Sequence, residues 1–307
     1  MNQAPNLVLG QVDFISRAQP GNGVVTGTIL RGPQGVWIQG NRLFVADTQN
    51  HRILIWNSIP TVNNQAPDQV LGQDDFTHAQ APPPSAVDPP AAANRMLNPV
   101  SVTSDGTHLF VADLGFNRVL IWNSIPTVND QPADVVLGQT DMTRSGANDA
   151  AVCGSNKIGL PTINLNTGQL LSLGPCVANL NFPRFALSDG RRLFVADGGN
   201  DRVLVYNAIP TANGTNADIV LGEPDFTTNI VTSQAIGIVS TAIDNTGAVD
   251  VTPTPTSLAF DGTNLYVSDP YNRRVLVFTP GDLPLPGNSV VNWASEIIRQ
   301  EGIVVLG

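Results

Sequence analysis

Four copies of one short segment limit what this chain can fold into more than any other feature. Arg42-Leu-Phe-Val-Ala-Asp47, His108-Leu-Phe-Val-Ala-Asp113, Arg192-Leu-Phe-Val-Ala-Asp197 and Asn264-Leu-Tyr-Val-Ser-Asp269 align without a gap. Five residues after each Asp stands an Arg: Arg52, Arg118, Arg202 and Arg274. A second apolar run follows each Arg, at 53–56, 119–122, 203–206 and 275–278. Each unit ends in Val-Leu-Gly, at 70–72, 136–138, 220–222 and 305–307, and a fifth Val8-Leu9-Gly10 opens the chain. Self-similarity recurring along a chain marks a fold assembled from one supersecondary unit, stacked because no unit can bury its apolar face alone.

The runs are short, rich in β-branched and aromatic residues, and bounded by Gly, Asp and Asn, so they read as strands. An earlier strand precedes each, at 35–38, 99–102, 185–187 and 257–260, and Asp105-Gly106, Asp189-Gly190 and Asp261-Gly262 are tight-hairpin turns. Four strands joined by short turns form an antiparallel meander, and radial repetition of such sheets gives an all-β propeller. The chain is therefore expected to be one propeller domain over 1–307, with units at 35–72, 98–138, 183–222 and 256–307. Residues 6–10 would be a ring-closing strand of the last blade. The repeated Asp residues are 66, 84 and 72 apart, which leaves long linkers between units. Those at 139–182 and 223–255 each offer an extra hairpin, around Asn166–Gly168 and Asn245–Gly247. Four blades are visible, and five or six, with degenerate ones in the linkers, is the alternative. One short helix is expected near 292–300, where Trp293, Ile297 and Ile298 have helical spacing.

The signature Leu-(Phe/Tyr)-Val-(Ala/Ser)-Asp-x4-Arg-(Val/Ile)-Leu-(Ile/Val) resembles the NHL repeat, including its Asn at Asn50, Asn200 and Asn272; the second copy has Phe116 there. The recurring Val-Leu-Gly-(Gln/Glu)-x-Asp-(Phe/Met) resembles a bacterial, exported subset of that family. The resemblance implies propeller blades, commonly six, and some six-bladed relatives hold zinc through several His. Only His51, His78 and His108 occur here, and the meander puts His51 and His108 on opposite faces, where they cannot share a metal.

Composition narrows the partners. Of the acidic residues 22 are Asp and three Glu, while Lys157 is the only Lys, a balance that favours turns over helix surfaces. A net charge of −10 without a basic cluster argues against nucleic acid, and no apolar run is long enough for membrane insertion. The segment after Met1 has no basic or apolar stretch resembling a signal peptide. Cys153 and Cys176 in one linker are expected to form a disulfide, which suits a secreted or cell-surface protein; a cytoplasmic one is the alternative.

Strand direction puts the Asp-x4-Arg turns on the face that also carries the linkers, and function on repeat scaffolds concentrates in such loops. The pairs Asp47/Arg52, Asp113/Arg118, Asp197/Arg202 and Asp269/Arg274 could form an ion-binding ring. Their presence in every copy favours a structural role, because one ligand meets different chemistry around an axis. Asp13, Asp75, Asp141 and Asp225 read likewise. Calcium at Asp74, Asp149 or Asp244 is the one cofactor the sequence offers. Substitution of polar linker residues such as Asn148 and Asp149 is expected to leave stability within about 0.5 kcal/mol. No nucleophile elbow, phosphate loop or EF-hand loop occurs. The expected function is a non-catalytic scaffold binding a protein, glycan or small ligand on the linker face. A metal-dependent hydrolase or lyase with a central-channel site, and a structural module of a larger surface protein, are the alternatives.

Overall fold

The computed structural model describes residues 4–17, 25–81, 90–163, 170–223, 225–229, 241–243, 249–251, 255–270, 272–279 and 305–306. Four antiparallel four-stranded sheets form a four-bladed β-propeller. Blade 1 is β1 (Gly35–Gln39), β2 (Arg42–Asp47), β3 (Arg52–Trp56) and β4 (Gln69–Leu71). Blade 2 is β5 (Pro99–Ser104), β6 (Leu109–Asp113), β7 (Arg118–Trp122) and β8 (Val135–Leu137). A four-residue helix α1 (Ala150–Cys153) and the hairpin β9 (Thr162–Ile163) with β10 (Leu170–Ser172) lie before blade 3. Blade 3 is β11 (Pro183–Ser188), β12 (Leu193–Asp197), β13 (Arg202–Tyr206) and β14 (Ile219–Leu221). The hairpin β15 (Thr241–Ile243) with β16 (Val249–Val251) leads to blade 4: β17 (Ser257–Phe260), β18 (Leu265–Asp269), β19 (Arg274–Phe278) and β20 (Val305–Leu306).

The linker hairpins fall where the Asn-Thr-Gly turns lie, but each has two strands. The alternative of five or six blades therefore finds no four-stranded sheet in these linkers among the described residues. The strand beside β19 is Val305–Leu306, in the place expected for residues 6–10. The helix expected near 292–300 lies outside the described residues.

Local chemistry sets the hairpins. Gly106, Gly190 and Gly262 sit at φ of +99°, +89° and +97°, a region that residues with a Cβ avoid. The preceding Asp closes each turn: Asp105 Oδ1 accepts the N–H groups of Thr107 and His108, and Asp189 and Asp261 repeat this on their own turns.

Alternation along the strands gives every blade two apolar faces. The trailing face of blade 1, with Phe44, Ala46, Ile53 and Ile55, packs against the leading face of blade 2, with Val102, Leu109, Val111 and Leu120. The trailing face of blade 2, with Phe110, Val119 and Ile121, meets Ala186, Leu193, Val195 and Leu204 of blade 3. The opposite face of blade 3 then meets Leu258, Leu265, Val267 and Leu276 of blade 4. The first two joints are also hydrogen-bonded. Val70 receives a bond on its carbonyl from Asp130 N–H and donates its own N–H to Asn129 Oδ1; Val136 does the same with Gly214 and Asn213.

Cys153, the last residue of α1, is disulfide-bonded to Cys176, and both are fully buried. The bond closes a loop across a sequence separation of 23. Replacing both cysteines with Ala is expected to lower the unfolding free energy by about 3 kcal/mol in the chain-entropy account, read from denaturant titrations. Alkylation of the oxidised protein without reductant should modify neither sulfur; two reactive thiols would contradict the bond.

Candidate functional site

The four Asp–Arg pairs occupy the turns where β2, β6, β12 and β18 end. Asp47 Oδ2 lies 2.8 Å from Arg52 Nε, and Asp113/Arg118, Asp197/Arg202 and Asp269/Arg274 repeat this at 2.8–2.9 Å. In the first three pairs both side chains have no exposed surface. The other carboxylate oxygen accepts a backbone N–H from the incoming linker, from Arg31, Leu97 and Asn181 respectively. The Arg fork then holds carbonyls on both sides: Arg52 donates to Phe76, Thr26 and Ile29, and Arg118 to Met142, Ala92 and Arg95. Each of these three pairs thus ties its own blade to the linker before it and to the segment after it.

Two copies depart from the pattern. Phe116 replaces the Asn that would donate to Asp113, and its ring lies 4.8 Å from the Arg118 guanidinium carbon. Burial pushes the Asp113 carboxyl up to about 6, with Arg118 and the Leu97 N–H pulling against it. In blade 4 the departure is at the other carboxylate oxygen. Asp269 Oδ1 has no partner among the described residues.

Other sequence candidates are also engaged. Asp13, Asp75, Asp141 and Asp225 each cap the turn that follows them, through the N–H groups of Ile15, Thr77, Thr143 and Thr227. His51 Nδ1 accepts the Asn98 N–H, which ties the turn of blade 1 to the start of blade 2. Burial, with Arg31 nearby, lowers its pKa. His108 is bonded to Asp105 and His78 to Asp75. Of the calcium candidates, Asp74 is paired with Arg95 and Asp149 with Arg144, and Asp244 lies outside the described residues. Among the described residues no group of three His, Cys, Asp or Glu is placed to hold a metal ion.

The structure gives no support to the expectation that Asn148 and Asp149 tolerate substitution, because both are buried. Asn148 is fully buried and exchanges reciprocal amide bonds of 2.8 and 2.9 Å with Asn200 in the turn of blade 3. Asp149 caps the first turn of α1 through the Ala151 N–H. This linker is anchored through polar contacts to residues 52 positions away, which no local pattern reveals.

One place breaks the repeat symmetry. Cross-strand register makes Gln34, Val100, Arg184 and Thr256 equivalent, each two residues before the partner of the central Val of the second strand. These four, with Phe185 and Ser257, line a cavity of about 180 Å³ at the axis. They stand where the first strands begin, which is the linker face. Arg184 is half-buried, and burial lowers its pKa. Among the described residues it has no hydrogen bond or ion pair. Room for its stem comes from Gly198: a Cβ there would lie 2.7 Å from Arg184 Cγ. The equivalent positions are Thr48, Leu114 and Pro270. The signal was present in the sequence as the one charged residue in that column, legible once the register is known.

No protein-family model matches the chain, and no curated protein matches it in sequence. Solved structures similar to it include the periplasmic gluconolactonase PpgL of Pseudomonas aeruginosa, at 16% identity over 82% of this chain and 67% of that one, TM-score 0.35. Streptogramin B lyase is similar at 12% identity over 83% and 70%, TM-score 0.32. A chain of the nidogen/laminin complex is similar at 15% identity over 82% and 77%, TM-score 0.34.

Proposed function

We propose that this chain is a secreted, NHL-type propeller that binds a small organic or inorganic anion at the linker-face end of its axis, with Arg184 as the charge partner. The carrying observation is that Arg184 is half-buried at the axial cavity without a partner among the described residues, whereas Arg52, Arg118 and Arg202 are each engaged by a carboxylate and carbonyls. A guanidinium fork suits a carboxylate or phosphate, which it grips with two parallel N–H···O bonds. Gln34, Thr256 and Ser257 supply polar groups that orient the ligand, and Phe185 and Val100 supply an apolar wall. The cavity is smaller than the ~300–1,000 Å³ of sites for drug-sized molecules, so the fit is to an acid of a few carbons or to phosphate. The described lining residues offer a guanidinium, an amide and hydroxyls, groups that suit binding an anion. Secretion is supported by the buried disulfide, which suits an oxidising compartment.

The test is calorimetric titration with acetate, succinate and inorganic phosphate at low salt. At least one should bind, and Arg184→Gln should weaken that binding by at least tenfold, since hydrogen bonds to a charged group contribute about 1.5–3 kcal/mol. The variant should melt no lower than the wild type, because it removes a half-buried charge with no partner. Anion binding that Arg184→Gln leaves unchanged, or no binding of any of the three, defeats the proposal.

A further inference from the structure

Blade 3 departs from blades 1 and 2 at one more place beside the axial cavity. Phe182, two residues before Arg184, holds a left-handed backbone at φ +47°. The same position is Gly32 in blade 1 and Asn98 in blade 2, at +57° and +53°. Glycine and asparagine tolerate that region, whereas a bulky side chain is strained in it. The strain gains little for the core, because Phe182 is 42% exposed. Its N–H is bonded to Asn117 Oδ1 in the turn of blade 2 at 3.0 Å, which holds the backbone in place. Strain held in this way is a feature of ligand clamps.

The turn beside Phe182 has given up its side chains. Thr48-Gln49 of blade 1 corresponds to Gly198-Gly199 of blade 3. In blade 1 a Cβ at Gly32 would lie 2.9 Å from the Gln49 side chain, so the turn fills that space. In blade 3 the turn is bare, and the large side chain stands at the entry instead. A Cβ at Gly198 would lie 2.7 Å from Arg184 Cγ and 3.2 Å from the Phe182 carbonyl oxygen, which sets both residues against one turn. Clearing the turn also forgoes a tie between blades. Thr48 Oγ1 donates to the Pro99 carbonyl of blade 2 at 2.8 Å. Pro255 is the equivalent of Pro99, and its carbonyl lies 3.3 Å from the Cβ position of Gly198, which has no hydroxyl to offer. Leu173, 40% exposed, borders the same turn. Its carbonyl accepts Asn148 Nδ2, and Asn148 is bonded to Asn200, the residue after Gly199.

We infer that the ligand of the axial site is an aromatic carboxylate, which rests on the anion site proposed above. The carboxylate enters the cavity and meets Arg184, and the ring lies over the bare turn against Phe182 and Leu173. A guanidinium fork takes the head through two parallel N–H···O bonds. The exposed apolar side chains beside it take the tail, and an aromatic tail adds edge-to-face contact with Phe182 beyond the area it buries. Only the head needs to fit the small cavity, because the turn next to it is open.

Adding phenylacetate to the calorimetric series of acetate, succinate and inorganic phosphate tests this on the intact protein. Phenylacetate is expected to bind about tenfold or more tightly than acetate. Arg184→Gln should weaken phenylacetate binding, and Phe182→Asn should bring the phenylacetate and acetate affinities within about twofold of each other. Asn is the residue that blade 2 carries in the same conformation, so this variant should melt no lower than the wild type. Phe182→Gly, with the residue of blade 1, is the second variant and should act alike. A wild-type ratio near one overturns the inference and leaves the anion site standing, as does a ratio that both Phe182 variants preserve. Binding of phosphate alone has the same meaning. Phenylacetate binding that Arg184→Gln leaves unchanged overturns the inference and the anion site together, and so does no binding of any of the four.

Discussion

Asp197→Ala is expected to lower the unfolding free energy by about 3–5 kcal/mol, the cost of leaving one member of a buried ion pair without the other. The geometry explains why the figure belongs at that end of the scale. Asp197 Oδ1 accepts the Asn181 N–H, and Oδ2 accepts both Asn200 Nδ2 and Arg202 Nε, all within 2.8 Å. Removing the carboxylate strands these donors and leaves a guanidinium with no exposed surface facing only carbonyls, those of Phe226 and Asn179. Burial raises the Asp197 pKa and Arg202 opposes it, so the charge is held against a desolvation cost that only the pair offsets. Asp269→Ala provides the internal comparison. Its partner Arg274 is 13% exposed, and Asp269 Oδ1 has no bond among the described residues, so the loss there should be about half as large. Urea titrations of the two variants decide the matter. If Asp197→Ala unfolds like the wild type but loses anion binding, the pairs are the ligand site and Arg184 is not.

How much of this was legible in the sequence depends on how far apart the interacting residues lie. Strand positions, hairpins and the sharing of one face by linkers and Asp-x4-Arg turns follow from patterns within a few residues. Even the small hairpins β9–β10 and β15–β16 are announced by Asn-Thr-Gly turns. What the turn chemistry could not reveal is whether such a hairpin recruits two more strands. The buried Asn148 was illegible for a different reason: its partner Asn200 belongs to the next blade, and an Asn in a polar linker looks like surface. Arg184 is intermediate. It stands in a column that repeats would keep uniform, yet the column can be drawn only once the first strand's register against the second is known. The extra Val-Leu-Gly was visible as a surplus strand, but its place beside Asn63 and Asn64 depends on hydrogen bonds spanning 55 residues.

Glu223→Gln is expected to stabilise the protein by about 2–3 kcal/mol at pH 7. The repeat places Gln11, Gln73, Gln139 and Glu223 in one column. Gln73 Nε2 donates to the carbonyls of His51 and Gln80, and Gln139 Nε2 to those of Asn117 and Gly146. The site is thus built to receive a donor, and a carboxylate has none. Burial, reinforced by Asp201 and Asp225 and opposed by Arg202, pushes the Glu223 carboxyl up to about 9. A folded-state pKa raised above the unfolded value means that folding takes up a proton. The wild type is therefore most stable below the ordinary Glu value of 4.5, loses stability as pH rises from there towards 9, and levels off beyond. Each pH unit in that window costs about 1.4 kcal/mol for a fully coupled group, which bounds the penalty at pH 7 near 3 kcal/mol. An amide cannot ionise and supplies two N–H groups, so the variant removes this slope. Urea titrations from pH 4.5 to 8.5 should show the two proteins converging at the acid end and separating steadily above it. Equal stability at pH 8, or a variant less stable than the wild type there, would show that Glu223 has found a donor of its own and stays ionised in the folded chain.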